Sequence, residues 1–216
     1  TRPTASLLRL INIYFSYLKL SQRSDGHFND FINHNKTINK ELPESQDSFG
    51  RAIWSLGVVI NSRKLSAELI SSAIKVFNKS LPEVKNLNFS RAIAFSLLGL
   101  SQAYHYFVKQ GDQKRSAQLS ALMTDLADKL IAKYSEQAAA NTGSTDIWRW
   151  FDDSLTYSNY KIPEALFAVS SILKDKKYLQ VAEESIDFLA KVSFDKEYYN
   201  AIGQDGWYFR NGKRAY

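Results

Sequence analysis

Two tryptophans, two tyrosines and two adjacent carboxylates fall within the thirteen positions from Trp148 to Tyr160. They are Trp148, Trp150, Asp152, Asp153, Tyr157 and Tyr160. Aromatic faces stack on the apolar faces of sugar rings, and carboxylates accept hydrogen bonds from sugar hydroxyls. A pair of carboxylates is also what glycoside hydrolysis requires. The segment points to a carbohydrate ligand. The alternative is a large loop whose tryptophans plug a helical core.

Other residues extend this set. Asp47 precedes Ser48, Gly50 and Arg51 at the start of an apolar stretch. There it is either an N-cap, which contributes about 1 kcal/mol, or an acid/base group. Arg51, one turn into a buried helix, requires a carboxylate or a carbonyl, and a partner such as Asp47 or Asp152 would make it a positioning residue. Arg91 occupies the equivalent place in an internal repeat and is expected to share that structural task. Asp152 and Asp153 are neighbours, so in extended chain they point to opposite sides. Asp153 is expected to cap a turn through Ser154. Two close carboxylates would raise the proton affinity of one and make it a general acid. Asp47, Asp152 and Asp205 are therefore the expected acid/base residues. His27, Asn29, Arg51, Trp150, Asp153, Tyr157 and Trp207 are the expected ligand-binding residues. Trp54 lies in a buried stretch and reads as core.

The elements that must position these residues are helical. Gly is sparse, and there are only 4 Pro in 216 residues. Leu7 to Leu18 opens the chain as a helix. Leu65–Phe77, Leu119–Ile131 and Leu179–Leu189 repeat apolar residues at helical spacing on one face. Between them, Ala52–Ile60, Ala92–Leu100 and Ala165–Leu173 are apolar nearly all round, which means burial on several sides. Gly50-Arg51-Ala52-Ile53 recurs as Ser90-Arg91-Ala92-Ile93, and Asp25-Gly26-His27-Phe28 as Asp205-Gly206-Trp207-Tyr208. Inner helices ringed by outer helices would give this alternation, and so would a solenoid of helical pairs. If the inner helices run parallel, the loops 25–46, 80–88, 142–161 and 194 onwards share one rim. That rim carries the candidate residues, with Asp47 at its edge directly after the first loop and Arg51 one turn further in. The opposite loops at 61–64, 109–112 and 174–176 are short and plain. The run 138–144 reads as a helix end and flexible connector.

Bulk properties exclude several classes. The chain has no Cys, so disulfides, thiol nucleophiles and Cys-ligated zinc are ruled out. His27, His34 and His105 are scattered, and neither a metal site nor a cofactor is expected. Net charge is +6, but Lys and Arg are dispersed apart from a short cluster at Arg210, Lys213 and Arg214. A nucleic-acid partner is therefore not expected. No run of apolar residues is long enough to span a membrane. Thr1-Arg2-Pro3 opens without an initiator Met or a signal-peptide pattern, and a cytoplasmic location is the slight preference.

Four runs carry a family resemblance. They are Asp25-Gly26-x-Phe28-x-Asp30-Phe31, then Gln46-Asp47-Ser48-Phe49-Gly50-Arg51-Ala52-x-Trp54-x-Leu56-Gly57, then Trp148-x-Trp150-Phe151-Asp152-Asp153-x-Leu155-Thr156-Tyr157-x-Asn159-x-x-x-Pro163-x-Ala165-Leu166, and Asp205-Gly206-Trp207-Tyr208. Together they resemble the six-hairpin glycosidase-like (α/α) toroids, in particular the bacterial proteins found beside or fused to glycosyltransferases. The resemblance implies an all-α fold, a toroid of helical hairpins, with residues 1–216 forming one domain that is part of a larger one. Six hairpins make about twelve helices, and about seven are read here, so further chain beyond Tyr216 is implied and the piece alone is not expected to be a competent catalyst. In such proteins a Glu precedes the Asp after Trp-Phe; here Asp152 takes its place, one methylene shorter. The implied function is a carbohydrate-active protein binding a saccharide at an aromatic, carboxylate-lined rim and hydrolysing glycosides. The alternative is a non-catalytic glycan-binding or interaction module associated with a glycosyltransferase. A structural helical scaffold is the third class.

Overall fold

A computed structural model describes residues 3–39, 44–140, 148–195 and 198–215. Among the described residues there are seven helices: α1 (Ala5–Ser21), α2 (Gln46–Ile60), α3 (Ala67–Val84), α4 (Ser90–Lys109), α5 (Gln113–Ala139), α6 (Lys161–Leu173) and α7 (Lys176–Ser193). The three all-apolar stretches are the cores of α2, α4 and α6. They pack side by side with α4 in the middle, and α3, α5 and α7 cover them from outside. Ile53, Leu56, Ile93, Leu97, Leu166 and Val169 are all fully buried. On the outer layer only one stripe is buried, as in Ala73 and Phe77 of α3 or Ala182 and Leu189 of α7. This is the division the two hydrophobic patterns require.

Glycine contacts fix the direction and closeness of α2 and α4. A Cβ on Gly50 would meet the Ala92 carbonyl oxygen at 2.5 Å, and one on Gly57 would meet that of Gly99 at 2.2 Å. Both pairs ascend together along the chain, so the helices run parallel, with backbone against backbone. Gly in a helix interior costs about 1 kcal/mol of propensity, and here it permits that approach. Parallel inner helices bring the starts of α2, α4 and α6 to one rim, as expected. At that rim the Gln46 side-chain oxygen accepts from the backbone N–H groups of Asn88 and Phe89, which lead into α4.

Three details differ from expectation. The expected loop 80–88 begins later, because α3 continues through Pro82 to Val84. Its buried positions Phe77, Ser80, Leu81 and Val84 keep helical spacing, and this outweighs the proline near the helix end. Among the described residues four two-residue strands also occur: β1 (Ser154–Leu155) pairs antiparallel with β4 (Tyr208–Phe209), and β2 (Phe194–Asp195) with β3 (Tyr198–Tyr199). The first helix forms where expected, yet only Phe15 and Ser21 of it are buried. The expected connector at 141–144 lies outside the described residues. No described helix is long and apolar enough to cross a membrane.

The outer layer is pinned by tyrosine–carboxylate bonds. Tyr134 on α5 donates to Glu184 on α7 at 2.6 Å, and Tyr178 on α7 donates to Asp128 on α5 at 2.7 Å. The Tyr134 hydroxyl, then Gln180, with help from Arg149, holds the Glu184 carboxyl below its ordinary value of about 4.5. A lowered folded-state value means that this stability is present above the unfolded value and is lost as pH falls through the lower folded one. Tyr134→Phe is therefore expected to flatten the fall in stability below pH about 4.5, read from urea midpoints measured across that range. An unchanged pH profile would show that the pin contributes nothing there.

Candidate functional site

The site is built from the first turns of α2 and α4 and from the segment leading into α6. Ser45 caps α2, its hydroxyl accepting from the Asp47 N–H at 3.1 Å. The cap is thus Ser45 and not Asp47, whose carboxylate is left for other partners. Arg51, one turn further along α2, donates from Nε to Asp47 Oδ2 at 2.7 Å. From α4, Arg91 Nε lies 3.7 Å from Asp47 Oδ1, and its NH1 donates to Thr156 Oγ1 at 2.5 Å. One carboxylate is therefore flanked by two guanidiniums.

Aromatic rings lie against both cations. The Arg91 guanidinium stands 4.2 Å from the centre of the Tyr157 ring, and that of Arg51 stands 4.3 Å from Phe95 and 6.0 Å from Tyr157. Trp54 stacks on Phe95 with centroids 5.6 Å apart. Lys161, which opens α6, holds its Nζ 4.6 Å over Trp54 and pairs with Glu164 at 2.7 Å. Each inner helix so contributes one cation to this cluster.

The aromatic segment folds on itself to reach this cluster. Trp148 donates from its indole nitrogen to the Asp152 carbonyl at 2.8 Å. Thr156 and Asn159 exchange two hydrogen bonds, and these shape the turn that carries Tyr157. Pairing of β1 with β4 brings the second Asp-Gly-aromatic run beside it, so Trp207 lies 6.2 Å from Tyr157. Asp152 Oδ1 accepts from Ser90 Oγ at 2.7 Å and lies 3.9 Å from Lys133 Nζ. Ser90 and Arg91 are adjacent, so Asp152 and Asp47 flank the start of α4.

The expected residues divide into groups. Asp47, Arg51 and Tyr157 come together directly; Trp207 joins through Tyr157, and Asp152 through Ser90. Asp153 is exposed and accepts from the side chain of Ser154 at 3.2 Å, and since Ser154 opens β1 this bond caps no turn. Asp205 is exposed in the turn before Trp207. Trp150 does not fit the platform expectation: it is 1% exposed and packs edge-on against Phe151, so neither face is open to a ligand. His27 and Asn29 are also elsewhere engaged. His27 contacts Glu83 at 3.1 Å and lies against Phe49, and Asn29 donates to the Ser21 carbonyl at 3.0 Å. Both tie the Gly26 turn (φ +94°) to the helix ends. Arg91 is held by Asp47, Thr156 and the Tyr157 ring, the structural task expected of it from its repeat relation to Arg51. Trp54 is partly exposed and faces the site, although it reads as core. Phe95 and Lys161 had no local signal, since their roles depend on neighbouring helices.

No family model matches the chain, and no curated protein does. Among solved structures it is similar to the crystal structure of an unsaturated glucuronyl hydrolase specific for heparin. The TM-score is 0.54 at 15% sequence identity, over 88% of this chain and 50% of that one. The fold is thus an all-α, toroid-like arrangement of helical hairpins, like that of this solved structure. The protein spans half the length of the solved structure it matches.

Proposed function

We propose that the protein binds a saccharide on the rim formed by the starts of α2, α4 and α6. The observation that carries this reading is Tyr157, which is 42% exposed, with its ring against Arg91 and neighboured by Trp207. A rigid exposed aromatic beside hydrogen-bonding groups is what a sugar face requires. Tyr157 and Trp207 are the platforms. Asp152, Asp153 and Asp205 are acceptors for hydroxyls, and Asp47 fixes the two arginines. Glycosidic hydrolysis is the chemistry these carboxylates would supply, with Asp47, Asp152 and Asp205 in the acid/base roles.

A second reading, a binding module serving a glycosyltransferase with no chemistry of its own, draws on a specific observation. Asp47 is engaged by two arginines and Asp152 by Ser90 and Lys133. Carboxylates spent on partners within the protein suit positioning more than proton transfer. A glycan-array screen followed by a hydrolysis assay on the hits tests both. Binding is expected, and Tyr157→Ala should weaken it by about tenfold, the strong end of an aromatic contact. Turnover of the hits favours hydrolysis, whereas binding without turnover favours the module. Glycan binding unaffected by Tyr157→Ala would overturn the site.

A further inference from the structure

Arg51 and Arg91 contact the same carboxylate but are not equivalent. Arg91 is 25% exposed, spends NH1 on Thr156 and turns Nε toward Asp47. Arg51 is 45% exposed and uses only Nε, on Asp47. Its two terminal nitrogens have no hydrogen-bond or ion-pair partner among the described residues. The guanidinium is nevertheless fixed, by Asp47 at its stem side and by the Phe95 ring 4.3 Å from its centre. An arginine held through Nε and one face presents its two remaining amino groups as a rigid fork.

We infer that the saccharide received at this rim carries an anionic group, a carboxylate, sulfate or phosphate, bound by the two terminal nitrogens of Arg51. The inference rests on the saccharide reading given above. A guanidinium fork offers two parallel N–H donors, which match two oxygens of an oxyanion better than scattered hydroxyls. Because the fork is preorganised, little side-chain freedom is lost on binding. Asp47 is one carboxylate between two arginines, while Lys161 is paired with Glu164, and Lys133 lies beside Asp152. Tyr157 stands 6.0 Å from the Arg51 guanidinium, so the aromatic platform and the fork are neighbours.

Calorimetric titration of the whole chain tests this with glucose, galactose and mannose, each against its uronate, 6-phosphate and 6-sulfate. Inorganic sulfate serves as the free-ion control. At least one anionic sugar is expected to bind about tenfold tighter than its neutral parent, and tighter than inorganic sulfate. The arms identify which anion is read. Arg51→Lys keeps the charge and loses the fork, so it should lose most of that preference; Arg51→Gln should lose all of it. Circular dichroism checks that both variants are folded. The inference fails, with the saccharide reading intact, if neutral parents bind as tightly as every derivative or if Arg51→Gln keeps the preference. It also fails if inorganic sulfate binds as tightly as the sugar anion. If no sugar of either kind binds, the saccharide reading fails and takes this inference with it.

Discussion

Trp150→Ala is expected to destabilise the fold by about 3–5 kcal/mol, the usual cost of truncating a large buried aromatic. Trp150 is among the largest fully buried side chains of the protein. It packs against Phe151, which in turn contacts Tyr134 on α5. Emptying that space removes the contact that seats the aromatic segment on the helical core. A urea or thermal melt measures the loss directly. Trp207→Ala, at the ligand side of the same assembly, should melt close to the unaltered protein. A Trp150→Ala variant that melts normally but loses glycan binding would restore the platform role to Trp150.

The second large effect has an unusual sign. Gly→Ala inside a helix ordinarily gains about 1 kcal/mol from propensity. At Gly57 the added methyl would sit 2.2 Å from the Gly99 carbonyl oxygen and 2.7 Å from its Cα. Those are backbone atoms and cannot rotate away, so α2 and α4 must separate. Overpacking of this kind costs about 1–3 kcal/mol or more, and the upper end is expected because the whole inner seam shifts. Gly57→Ala should therefore lower the melting temperature. Gly111→Ala is a useful contrast for space alone, because nothing lies within 4 Å of a Cβ there, although its φ of +71° adds backbone strain. A rise in melting temperature for Gly57→Ala would mean the two helices are not in backbone contact.

The helical frame was legible in the sequence because it rests on local periodicity. Ala92–Leu100 is apolar all round and lies between two inner neighbours; Leu119, Leu126 and Leu130 form a stripe and lie in the outer layer. The shared rim followed from the order of these two kinds of helix. The site was only partly legible, because its contacts are made across long stretches of chain. Ser90 meets Asp152 and Arg91 meets Thr156 at separations of 62 and 65 residues. A loop tryptophan such as Trp150 can turn either way, and neighbouring residue types do not show which. The Asp-Gly-aromatic repeat was visible, but its two copies diverge in use. One turn holds His27 and Asn29 against helix ends, and the other carries Trp207 to Tyr157.

Hydrogen–deuterium exchange with and without a glycan taken from the array hits tests the central claim most directly. Backbone protection is expected in residues 152–161, in the first turns of α2 and α4, and around Trp207. Protection confined instead to α1 and α3, or to the loops at 61–64 and 109–112 on the opposite rim, would contradict the account.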